Sequence, residues 1–351
     1  MSSSPFTHRS RPLSPQRSPR PQLVPRPRPR YSALALWHLL SLDAPTVATL
    51  WTIFIARCSH LHLPWTEPAA MFLAVWMIYA ADRLLDARLP DTPPLESRIS
   101  PPGLETRHRF HDAHRTAFVT VIVFGCIALA ALLHGIDPRS LHLYVLLATL
   151  LAAWMFLIHS QPFLFHSQSR LIHSRPVRHA VTSRLPKELA VGIFFPAAVF
   201  IPTLARTTPT PDAIHFLGPA AIWIRPNLLP TAILFACVCT LNCLCLYAWE
   251  HPTLRNHDLP RTDDLPQQQP HWTTRWATAH LTTIALVILA ASTIASVSRA
   301  LPIALPALAC SLSTAGLFAL NLYRHRLSPI HLRATADLVL LTPLLFLPLV
   351  R

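Results

Sequence analysis

Charge is scarce in this chain. Asp, Glu, Lys and Arg make up 13% of its 351 residues while 52% are hydrophobic, a balance that excludes an ordinary soluble domain and implies several membrane spans. Lysine is almost missing, since Lys187 is the only one among 30 basic residues. Glycine is rare too: six in the whole chain, which argues against a transporter built on glycine-interrupted helices. The seven cysteines lack the spacing of a secreted disulfide framework. Cys237, Cys239, Cys243 and Cys245 fall inside one apolar segment, where they are expected to be reduced. Their alternate spacing spreads them around a helix, so they read as small packing residues and not as converging metal ligands.

Among the charges present, bases outnumber acids by 30 to 16, for a net charge of +14. No soluble module carries a basic face interleaved with aromatics, so the excess points to orientation in an anionic membrane and not to nucleic acid. Residues 1–30 consist largely of Ser, Pro and Arg, and no acid precedes Asp43. This segment is expected to be a disordered cytoplasmic tail in contact with anionic lipid. It shows no cleavable secretory pattern. An organellar transit peptide is the alternative, although the repeated prolines oppose an amphipathic helix there.

Residues 31–351 read as the transmembrane helical domain. Apolar runs bounded by Pro, His or Arg predict nine spans, at about 34–56, 68–86, 116–133, 141–159, 187–204, 228–249, 276–297, 302–322 and 332–350. Pro45, Pro196, Pro202 and Pro343 interrupt or bound the first, fifth and ninth. With the N-terminus inside, only Arg57, Arg139, Arg206, Arg225, Arg299 and Arg351 of the thirty bases lie outside. That asymmetry predicts a multi-pass protein of a bacterial inner membrane with a cytoplasmic N-terminus. The fold class expected is all-α, with about nine transmembrane helices around a central cavity, and any charged site should gather on its inner face.

The second span ends in Tyr79-Ala80-Ala81-Asp82-Arg83-Leu84-Leu85-Asp86. On a helix Asp82 and Asp86 share one face, and aligned carboxylates at a span end suit Mg²⁺, which keeps water and phosphate oxygens as its other ligands. The alternative is that both face cytoplasmic water and pair with Arg83 and Arg88. Arg107, His108, Arg109, His111, Asp112 and Arg115 form a basic approach to the third span, fit for phosphate oxygens, for lipid headgroups or, through its histidines, for a metal, although no second His or Cys set of ligand spacing accompanies them. Lys187 opens the fifth span, where a helix N-terminus already favours an anion; a plain topological anchor is its other reading. Near the end of the sixth span Tyr247 precedes Glu250 by three residues, as Tyr79 precedes Asp82. This short repeat suggests two helix sets facing one cavity. Asn242 lies two turns deeper than Glu250 on nearly the same face, placed either to orient a polar substrate group or to bond a neighbouring helix. The loop 251–275 carries Arg255, Asp258, Asp263 and Asp264 on the inner side; Asn321, Arg324 and Arg326 close the eighth span, and Asp337 lies within the ninth.

Nine spans, acidic ends after spans two and six, and a basic helix start after span four together resemble the UbiA superfamily of intramembrane aromatic prenyltransferases. In that family the first motif reads Asn-x-x-x-Asp-x-x-x-Asp; Asp82 and Asp86 match its aspartates while Ile78 stands at the Asn position. The second acidic motif is represented by Glu250 and Asp258 without the usual spacing, and Lys187 corresponds approximately to a family lysine. The resemblance implies a Mg²⁺-dependent transfer of a prenyl group from a prenyl diphosphate to a lipid or aromatic acceptor. Asp82, Asp86 and Glu250 would hold Mg²⁺; Lys187, Arg83, Arg107 and Arg109 would bind diphosphate, with Asn242, Tyr79 and Tyr247 lining the substrate site. The alternatives are a UbiA-fold protein without catalysis, or a transporter.

Overall fold

The computed structural model describes residues 31–86, 110–168, 187–207, 228–250, 272–297 and 301–350; the side chains of Asp86, Met155, 157–168, Lys187 and 301–302 lie outside that description. The 1–30 tail and the sequence-predicted contacts of Arg107 and Arg109 also fall outside it. Contacts divide the chain after Tyr31, leaving Ser32–Arg351 as the helical body. Among the described residues every regular element is a helix.

In chain order the helices are α1 (Ala33–Leu39), α2 (Asp43–Cys58), α3 (Thr66–Asp86), α4 (Arg115–Leu133), α5 (Pro138–Gln168), α6 (Lys187–Arg206), α7 (Leu229–Glu250), α8 (Trp272–Ala279), α9 (Leu281–Ser296), α10 (Leu301–Tyr323) and α11 (Pro329–Val339). Five are long and apolar enough to cross a membrane, and two sharply bent pairs, α1 with α2 and α8 with α9, raise that to seven. The chain is thus an all-α integral membrane protein. After α11 the chain continues as two short 3-10 turns, Thr342–Leu345 and Leu347–Leu349. Pro343 and Pro348 have no N–H to give an α-helical ladder, which fits the change of geometry.

The break between α1 and α2 has a local cause. Ser32 caps α1 by accepting a hydrogen bond from the Ala35 N–H, but Ser41 takes a left-handed φ of 57° and α2 begins afresh at Asp43, bent by 89°. Pro45 then falls in the first turn of α2, where a missing N–H costs nothing. The proline that threatened to interrupt a continuous span instead opens the second half of a broken one.

Helix α2 is the hub. It packs against α3, α6, α10 and α11, and Trp51 and Phe54 on it are fully buried. The Trp51 indole stacks on Phe235 of α7 at 4.1 Å and donates to the Leu340 carbonyl at 2.8 Å. Helices α4, α5 and α9 carry apolar side chains on outward faces, among them Val123, Phe124, Ile127, Val145, Val287 and Ile294. Exposed apolar area on that scale is what lipid covers.

Where α6 meets α7 the backbones approach closely. A Cβ added at Gly192 would collide with Thr240 Oγ1 and stand 3.2 Å from the Thr240 Cα, and Thr240 Oγ1 is itself tied to the Ala236 carbonyl at 2.8 Å. Small residues serve this purpose between membrane helices. Gly192→Ala is therefore expected to destabilise the bundle by about 1–3 kcal/mol, with partial recovery when Thr240→Ala is added. Thermal unfolding in detergent micelles checks this, and an unchanged Gly192→Ala midpoint contradicts the close packing.

Candidate functional site

One end of the helical body gathers polar groups from five helices. The break at Ser41 brings His38, in the last turn of α1, against Asp43, the first residue of α2; their Nδ1 and Oδ2 atoms are 2.6 Å apart. Beside a carboxylate, Nδ1 is the protonated nitrogen and donates. Each group also suits its helix end, the imidazole near a C-terminus and the carboxylate at an N-terminus. From α11, Asp337 brings an oxygen to 4.0 Å from the same Nδ1. Asn242 on α7 donates from Nδ2 to Asp337 Oδ1 at 3.0 Å. His38, Asp43 and Asn242 are all deeply buried, at 5%, 4% and 7% exposure.

Charges of the opposite sign surround this nucleus. Arg333, one turn before Asp337 on α11, forms an ion pair with Glu250 at the end of α7. Arg83, near the end of α3, lies within electrostatic reach of Asp43, Tyr79 and Arg333, and Tyr79 within reach of Asp43, Asp337 and Cys243. Low dielectric strengthens each such interaction, so the end of α3 and the end of α7 belong to one electrostatic unit joined through α11.

Four of the sequence-predicted residues, Tyr79, Arg83, Asn242 and Glu250, therefore converge. Asp82 is half-buried on α3, seven residues beyond Val75 and eleven beyond Met71 on the stripe that contains both buried residues. Asp86 closes α3, and Lys187 opens α6; their side chains lie outside the description. Tyr247 belongs to a separate polar group within reach of Glu188, which accepts from Thr274 Oγ1 at 3.3 Å. Beside Tyr247 in sequence, the Trp249 indole donates to Asn321 Oδ1 at 3.1 Å, and Arg324 donates to that oxygen too. The seven cysteines are free thiols.

Sequence reading missed His38, Asp43 and Arg333 as site residues and left Asp337 without a role. A straight helix puts positions five apart on different faces, so His38 and Asp43 meet only because the helix breaks between them. Asp337 carried a usable signal, an acid inside an apolar span with Arg333 four residues before it.

No family model, curated protein or solved structure matches this chain.

Proposed function

We propose that this protein is a UbiA-type intramembrane prenyltransferase of a bacterial inner membrane, with its N-terminus in the cytoplasm and its nine spans made by these helices around a central cavity. The observation that carries the reading is the convergence of Tyr79 and Arg83 with Asn242 and Glu250: two halves of the chain bring polar groups to one end of an otherwise apolar bundle. Such placement is costly in a membrane unless it serves a site.

The donors fit Mg²⁺ in part. Asp82 and Asp86 offer hard oxygens from adjacent turns, which Mg²⁺ accepts with water and phosphate completing its shell. Glu250 is held by Arg333, so it acts first as that guanidinium's counter-charge. Bound at Asp82 and Asp86, the ion would neutralise charge on the diphosphate leaving group. Arg83 with Lys187, Arg107 and Arg109 would take its oxygens, and Tyr79, Tyr247 and Asn242 would orient the substrate. The apolar walls would exclude water from the allyl cation until the lipid or aromatic acceptor captures it.

A non-catalytic, UbiA-fold reading is favoured by one different feature. Glu250 is neutralised by Arg333 and Asp43 by His38, as in a cluster that only locks helices together. Binding of farnesyl diphosphate to the detergent-purified protein separates the two. The transferase reading expects Mg²⁺-dependent binding that Asp82→Asn and Asp86→Asn each weaken at least about tenfold, near 1.4 kcal/mol. Binding indifferent to chelator and to both substitutions would leave only the structural reading.

A further inference from the structure

We propose that His38, Asp43, Asp337 and Asn242 form a second cation site, specific for a divalent first-row transition ion such as Zn²⁺, which shares only Asn242 with the prenyl-transfer reading. The first three offer one ligand atom each from α1, α2 and α11, all within 4.8 Å of one another, and they are the only such group among the described residues.

Geometry supports a single ion between them. A tetrahedral ion with bonds of about 2.0–2.1 Å holds its donors about 3.3 Å apart. The His38 Nδ1 stands 2.6 Å from one carboxylate and 4.0 Å from the other, so its two separations straddle that value. A small swing of the imidazole from Asp43 toward Asp337 equalises them, and the imidazole proton passes from Nδ1 to Nε2 so that the Nδ1 lone pair can face the ion.

A second and independent observation points to the same place. Asn242 is 7% exposed and its amide nitrogen is spent on Asp337, yet its Oδ1 is buried without a hydrogen-bond partner. A buried carbonyl oxygen left this way costs free energy, and the usual remedies are a donor or a cation. Carried on the amide whose nitrogen binds Asp337, it would be the fourth donor of a closed site.

Donor chemistry narrows the ion. Mg²⁺ and Ca²⁺ take oxygen-only shells, whereas an imidazole beside carboxylates suits zinc and its neighbours. Charge agrees, because two carboxylates with a neutral imidazole balance one dication. Arg333 on α11 is paired with Glu250 and also lies within electrostatic reach of both aspartates, and Arg83 is the other cation facing the cluster. Ligands drawn from both sides of the Ser41 break and from α11 would fix a helix discontinuity that no continuous hydrogen-bond ladder can hold.

The test uses the full chain in detergent, stripped with chelator and titrated with Zn²⁺ against a chromophoric competitor. One tightly held ion per chain is expected, weakened at least tenfold by Asp43→Asn and by Asp337→Asn, less by Asn242→Ala, and unaffected by Asp82→Asn. Absence of tight Zn²⁺ binding overturns the proposal, as does tight binding that survives both aspartate substitutions, since other histidines would then be the ligands. Should those variants fail to fold, Co²⁺ added to the unsubstituted protein decides. Intense visible bands of a four-coordinate ion support the site, and only the weak spectrum of the six-coordinate aqueous ion refutes it.

Discussion

Replacing Arg206 with methionine is expected to destabilise the folded protein by about 3–5 kcal/mol, the cost of stranding a buried carboxylate. Arg206, at the end of α6, grips Glu67, in the first turn of α3, through two hydrogen bonds of 2.6 Å, and the Glu67 side chain is fully buried. The Asp137 N–H also donates to Glu67, and Thr66 Oγ1 donates to the Gly135 carbonyl, so the clamp reaches the turn between α4 and α5. Charge-assisted forks of this kind are strong, and both groups oppose their helix dipoles favourably. Yet much of the expected loss comes from the partner left behind. The double variant Glu67→Met with Arg206→Met is therefore expected to recover most of it, because removing both charges also removes both desolvation costs. Unfolding in mixed micelles, followed by circular dichroism, measures the three variants. A single Arg206→Met within about 1 kcal/mol of the parent would show that the pair contributes no more than an exposed one.

The clamp and the polar cluster sit at opposite ends of α3. Glu67 and Arg83 are sixteen residues apart on that helix, about 24 Å at 1.5 Å per residue. Between them the packing is apolar, with Met71, Val75 and Trp76 buried. Ion pairs therefore fix both rims of a bundle whose middle is held by apolar packing and by single hydrogen bonds such as Trp51 to the Leu340 carbonyl. Neutralised charge at the two rims is the arrangement that costs a membrane protein least.

How far the sequence reveals this depends on the kind of signal. Spans predicted at 68–86, 116–133, 187–204 and 228–249 correspond within two residues to α3, α4, α6 and α7, since an uninterrupted apolar run is a property of composition. The first and seventh predicted spans differ: each is a bent pair, broken near Ser41 and near His280. A hydropathy average passes over both breaks, the one at Ser41 with its left-handed φ of 57° and the one at His280, where φ is −104°. The end of the chain differs for another reason, as α11 stops at Val339 and gives way to 3-10 turns that hold Pro343 and Pro348. Within the site, Tyr79, Arg83 and Asn242 were legible as polar groups in apolar surroundings. Partnership was not, because Asn242 bonds Asp337 ninety-five residues away and no local spacing encodes that.

The role of Glu250 is the point on which the functional readings divide, and Arg333 allows it to be tested. Arg333→Met is expected to cost about 3–5 kcal/mol, since it leaves Glu250 unpaired and Asp337 without its neighbouring cation in a largely buried setting. Glu250→Gln alone should cost less, because an amide still accepts a hydrogen bond from the guanidinium. If the pair is structural, adding Glu250→Gln to Arg333→Met restores much of the lost stability, a coupling that a double-mutant cycle in mixed micelles reads directly. Farnesyl diphosphate binding to the same variants then carries the functional half. A counter-charge role leaves Mg²⁺-dependent binding intact in the restored double variant, because Asp82 and Asp86 are untouched. A role in holding cation or diphosphate abolishes binding in Glu250→Gln even where the fold is unharmed. Loss of stability and loss of binding thus fall on different variants, and their separation decides whether the end of α7 belongs to the bundle's scaffold or to its chemistry.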